Sequence, residues 1–94
     1  MNNTQRKAIK SVAEKLQDIV LSLDEPLEEL ESLLDEEEEK IDNMPENLQE
    51  SDRVVAMKDA LEDLQDSQVG ISDLLEDIRD YLSDIIDKME GGLN

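Results

Sequence analysis

Apolar residues recur through the second half of the chain in alternating steps of three and four. Val54, Met57, Leu61, Leu64, Gln68, Ile71, Leu75, Ile78, Leu82, Ile85 and Met89 form one sustained stripe, broken only by the polar Gln68. That spacing predicts a long helix packed along a heptad seam. Val55, Leu74, Tyr81 and Ile86 widen the stripe beyond a two-stranded seam, which points to burial against more than one neighbour. Gln68 is expected to set the register of the seam, and Met57 and Met89 to belong to the core rather than to a ligand surface. Gly70 costs about 1 kcal/mol of helix stability and is expected to allow close packing or local flexibility. Tyr81 is expected to pack with its hydroxyl at the rim.

The first half repeats the theme with Ile9, Val12, Leu16, Ile19/Val20, Leu23, Leu27, Leu30, Leu34, Ile41 and Met44 on one face. A one-residue shift near Ile19/Val20 reads as a stutter. Pro26 falls within this pattern, where it lacks a backbone donor and clashes with the preceding turn. Asp24 suits a new N-cap with Pro26 in the first turn, so a kink or short break is expected there. Asn3 or Thr4 is expected to cap the start of the arm.

Between the halves lies "DNMPENLQES". Asn43 with Glu46 fits a capping box, Pro45 suits a first turn, and Ser51 is placed to cap the second arm. The expected fold is all-α: one helical-hairpin domain over 1–94, with an arm at 4–42, an elbow at 43–51, an arm at 52–90 and a glycine-stopped tail at 91–94. A single chain of this size buries a modest core, so the hairpin is expected to assemble into a homo-oligomeric bundle.

Composition sharpens this picture. Tyr81 is the only aromatic residue, and there is no Cys or His among the 94 residues. Acids outnumber bases 27 to 9, for a net charge of −18, which repels nucleic acids and anionic membranes. No direct nucleic-acid or membrane partner is therefore expected. The opening stretch has no long apolar core, so neither a secretory signal nor a membrane span is expected, and a cytoplasmic location is the plain reading.

Candidate chemistry is sparse. Without His or Cys the nucleophilic constellations lack their usual base, so no enzyme, cofactor or metal is expected. Glu36 with Glu39, and Glu39 with Asp42, stand one helical turn apart as in metal-dependent phosphate enzymes. In a chain so rich in acids, such pairs arise by chance. The acidic tract 24–39 holds ten acids and no base. Glu28, Glu29, Asp35, Glu36, Glu38 and Glu39 form either a solubilising face or a DNA-mimicking one that would occupy a basic protein groove. Conversely, residues 1–13 hold Arg6, Lys7 and Lys10 and no acid. Cations at a helix start oppose the helix dipole. Either they pair with second-arm acids such as Asp84, Asp87 and Glu90, or Gln5, Arg6, Lys7 and Lys10 bind an anionic, nucleotide-like ligand.

The start "MNNTQRK", the elbow "NMPENLQES" and the following "ALEDL…ISDLLEDI" resemble a group of small acidic helical proteins common in bacteriophage and prophage genomes. The resemblance spans nearly the whole chain, although Pro26 departs from an uninterrupted first arm. It implies a setting rather than a chemistry: non-catalytic host takeover or counter-defence by sequestering a partner. An anionic immune signal is the leading expected ligand. A DNA mimic acting on a basic host defence protein is the alternative, and a structural coiled-coil scaffold is a third. The likeness at the elbow also marks Met44, Glu46, Asn47 and Gln49 as candidate partner contacts.

Overall fold

A computed structural model describes residues 1–92 and is all-helical, with no β-strand among them. The elements are α1 (Asn3–Ser22), α2 (Asp24–Asp42), the single turn α3 (Glu46–Gln49) and α4 (Asp52–Asp87), followed by a π-helical turn at Lys88–Gly92. Among the described residues no helix is long and apolar enough to cross a membrane. The glycine stop corresponds to the π-helical turn, and the expected tail beyond Gly92 lies outside the described residues.

The first arm is two helices, as Pro26 suggests. Leu23 separates them while keeping right-handed helical angles, and its N–H bonds the Val20 carbonyl at 3.1 Å. Asp24 opens α2, and Pro26 falls in the first turn, where a missing N–H costs no intrahelical bond.

Contacts gather in two units. The elbow unit, Glu25–Ser72, pairs α2 with the first part of α4. Leu34, Ile41, Val54 and Leu61 form its core, with Met44 and Met57 packed against it. Ile41 is the most enclosed side chain, 2% exposed. Burial of such a side chain stabilises by roughly 1.5–3 kcal/mol.

Side-chain hydrogen bonds close the turn of this unit. Ser51 Oγ accepts from the Val54 N–H at 3.3 Å, the expected N-cap of α4, and donates to the Leu48 carbonyl. The expected Asn43–Glu46 box does not form: Pro45 is the N-cap of α3 and makes no side-chain cap bond. Instead Gln49 Nε2 donates to the Ile41 and Met44 carbonyls, at 2.7 and 3.1 Å. The Ile41 carbonyl in the last turn of α2, which also accepts from the Met44 N–H, and the Met44 carbonyl just beyond α2 thus share a side-chain donor from the far side of the elbow.

The terminal unit, Met1–Asp24 with Asp73–Asn94, pairs α1 with the later part of α4 and the π-helical turn. The pairing is antiparallel: Lys10 meets Glu90, Gln17 meets Ser83 and Asp24 meets Arg79. Ala13, Val20, Leu75 and Leu82 are buried here. Asn2, rather than Asn3 or Thr4, caps α1, its Oδ1 accepting from the Gln5 N–H at 2.8 Å.

The inter-helix seam is displaced from the expected one. On α4 the buried or half-buried positions are Val54, Met57, Leu61, Gln65, Gln68, Ser72, Leu75, Arg79, Leu82 and Ile86, continued by Met89 in the π-helical turn. Leu64, Ile71, Ile78 and Ile85, expected in the seam, are exposed. Gln65, Ser72, Arg79 and Ile86 take their places. On α1 the seam is Arg6, Lys10, Ala13, Gln17 and Val20, one position after the apolar series Ile9, Val12, Leu16 and Ile19. The expected stutter is thus a change of face: Ile9, Val12, Leu16 and Ile19 of α1 stand beside the seam, whereas Val20 and then Leu27, Leu34 and Ile41 of α2 stand on it and Leu30 is exposed. Gln68 is buried at 8% exposure. A β-carbon on Gly70 would meet nothing within 4 Å, so close packing does not explain this glycine. Tyr81 is not a rim packing residue within the protomer, because it is 72% exposed.

Candidate functional site

Three surfaces are distinguished by their chemistry, and each arises from how a seam selects faces. The first lies at the start of α1. Asn3, Arg6, Lys7 and Lys10 line one depression together with Met89 and Glu90. The three cations read from the sequence are therefore brought together on one stretch of helix. The depression also contains a carboxylate. Lys10 Nζ pairs with Glu90 Oε1 at 2.9 Å. The hydrogen bond that Lys10 donates to Glu90, then the charge of Glu90, raises the Lys10 pKa above its ordinary value; burial opposes this and Glu14 adds to it. Of the acids weighed as partners for this cluster, Glu90 pairs with Lys10, and Asp84 pairs with Lys88 one turn along its own helix. The expected free N–H groups are partly used as well, since Gln5 and Arg6 donate theirs to Asn2.

The second surface belongs to the elbow unit. It holds seventeen acids and three bases, a net −14, against ten and six, a net −4, in the terminal unit. Glu28, Glu29, Asp35, Glu36, Glu38 and Glu39 are all exposed. Glu38 accepts a hydrogen bond from Gln65 at 3.0 Å. Among the described residues every ion pair lies in the terminal unit, so the acidic surface carries its charge without internal neutralisation. Glu25, Glu28 and Glu29 border a shallow groove with Ser32 and Leu33, and Glu36 and Glu39 border another with Lys40 and Asn43. No group of three acidic side chains suited to holding a metal ion occurs among the described residues.

The elbow candidates divide. Met44 packs on the core and Gln49 is engaged with backbone carbonyls, so both serve the turn itself. Glu46 and Asn47 are exposed.

The third surface was not separated from the seam in the sequence. On the terminal unit, Ile9, Val12, Leu16 and Ile19 of α1 and its C-cap Leu23 stand exposed. Leu74, Ile78, Tyr81 and Ile85 of α4 do the same. Each series precedes its own seam by one residue, a rotation of about 100° on a helix with 3.6 residues per turn. Because the two helices run antiparallel, equal rotations carry both series to the same side of the pair. A depression shared by Ala8, Ile9, Val12, Leu16 and Ile85 lies along it. The signal that would have found this face is the polar series one step over, Lys10, Gln17, Asp24 and Arg79, whose members bond across the two helices.

Comparison with known proteins adds no relative: no family model, no curated protein and no solved structure matches this chain.

Proposed function

We propose that this chain is a non-catalytic binding protein that homo-oligomerises as a helical bundle and sequesters a basic partner protein through the acidic surface of its elbow unit. The observation that carries the reading is the distribution of charge: a net −14 within Glu25–Ser72, with Glu28, Glu29, Asp35, Glu36, Glu38 and Glu39 exposed on α2 and no ion pair in this unit among the described residues. Unneutralised carboxylates on a helix attract a cationic surface and compete with the phosphates it would otherwise bind, which is the physics of DNA mimicry. The resemblance to phage and prophage proteins sets this in host takeover or counter-defence, with a basic nucleic-acid-binding defence protein as the target.

A second reading rests on the depression lined by Arg6, Lys7 and Lys10, which would take a small anionic, nucleotide-like ligand with Gln5 alongside. Glu90 within that depression lowers its attraction for anions, and this places the acidic surface first. A scaffold that uses neither surface is the third reading.

Affinity capture from a bacterial lysate separates them. The quadruple variant Glu28→Gln, Glu29→Gln, Glu36→Gln, Glu38→Gln should lose a basic protein that the wild type retains, while Arg6→Ala with Lys7→Ala should keep it. Loss of a retained nucleotide in the second variant alone would favour the anion reading, and silence of both variants the scaffold.

A further inference from the structure

We infer that a second copy of this chain docks on the apolar face of the terminal unit, joining two helix pairs into a four-helix core. The inference deepens the homo-oligomeric part of the proposed function and does not depend on the acidic-surface part.

Three observations favour a second copy over any other occupant. The first is area. With their fractional exposures, the five side chains of α1 and its C-cap and the four of α4 present roughly 900 Å² of accessible surface, close to the ~800 Å² that each partner gives to a standard interface. The second is charge. A like copy of a −18 chain is repelled, yet the apolar face lies on the unit that carries only −4 of it, ten acids against six bases. Half of those six bases are already paired with acids of the same unit. The third is shape of the pattern. The side of the helix pair opposite the apolar face bears Lys7, Glu14 and Asp18 on α1 and Glu76, Asp80 and Asp87 on α4, interrupted by Leu21. One face is apolar and the other polar, so two copies meeting by a two-fold axis cover both apolar faces and leave none to recruit a third. In the elbow unit the corresponding positions of α4 are Arg53, Ala56, Ala60, Leu64, Ser67 and Ile71, where only Leu64 and Ile71 are large and apolar, so the apolar series thins out toward its start.

Sedimentation equilibrium over a dilution series tests the inference, with helicity followed by circular dichroism. The wild type should sediment as a dimer, whereas Val12→Glu with Ile78→Glu should give a helical monomer. Leu33→Glu, exposed on the elbow unit, should remain dimeric. Because Tyr81 is the only aromatic residue, its fluorescence supplies a measurement free of mutation: it should be shielded from a soluble quencher at high protein concentration and become accessible on dilution. A monomeric wild type would overturn the inference. So would a dimer that survives Val12→Glu with Ile78→Glu, or a Tyr81 equally quenched at every concentration. Failure of the acidic-surface reading changes none of these results, since the four-Gln variant should sediment as a dimer too.

Discussion

The guanidinium of Arg79 donates to the carboxylate of Asp24, bonding the first residue of α2 to the later part of α4. A salt bridge thus occupies a seam position where the hydrophobic pattern alone would place Ile78. Both side chains keep a third or more of their surface in solvent, 34% and 44%, so screening limits what the pair contributes. A double-mutant cycle with Arg79→Ala and Asp24→Ala should give a coupling of no more than about 1 kcal/mol in denaturant unfolding. Arg79→Ala alone should cost more than Asp24→Ala, because the arginine stem also covers the seam.

Gln49 links the two sides of the elbow by donating to the carbonyls of Ile41 and Met44. Gln49→Ala takes that donor from both carbonyls, leaving Ile41 with the Met44 N–H alone. It should destabilise the protein by about 1–2 kcal/mol, read as a lower urea midpoint with an unchanged slope. A variant that unfolds at the wild-type midpoint would mean that water replaces the amide at no cost.

Gly70 lies inside α4 with open space where a β-carbon would sit and without a positive φ. Gly70→Ala should therefore stabilise by about 0.5–1 kcal/mol, through helix propensity and a less flexible unfolded chain. Thermal unfolding at fixed protein concentration checks this. A lowered melting temperature would show that the position needs its glycine for a partner or a motion.

Lys10 has its pKa raised, chiefly by the hydrogen bond and charge of Glu90. For a cation whose folded pKa is raised, the linked stability is fully present below the unfolded value, about 10.4 for lysine. It is lost as the pH climbs through the higher folded value. The melting-temperature difference between wild type and Lys10→Gln should accordingly be present at neutral pH and disappear on the alkaline side of that window. Lys10 is exposed to solvent, so the difference should be small and should shrink with added salt.

The helices themselves were legible from the sequence: the 3–4 stripe marks α4, Pro26 with Asp24 marks the break after Leu23, and Ser51 caps the second arm as its type and place suggest. Which edge of the stripe turns inward was not legible. Ile78 and Arg79 are one residue apart, and hydrophobicity alone ranks Ile78 first. The positions turned inward are held instead by pairs distant in sequence, Lys10 with Glu90 and Asp24 with Arg79, and by the small, buried Ala13. None of these stands out in an apolar pattern. At the elbow, Gln49 was legible as a special residue but not as an internal one, because its role depends on where the Ile41 and Met44 carbonyls point. Arg6, Lys7 and Lys10 line one depression, whereas Gln5 is not among its lining residues and Glu90 tempers its charge.

We propose that the unpaired carboxylates of the elbow unit are a recognition surface and not only a solvated one. The most direct measurement is the salt dependence of affinity for the captured basic protein, compared between wild type and the Glu28→Gln, Glu29→Gln, Glu36→Gln, Glu38→Gln variant. The account predicts that log affinity falls steeply as log salt rises, and that the variant binds more weakly at low salt with a shallower slope. A flat slope, or equal slopes and affinities for the two proteins, would contradict it.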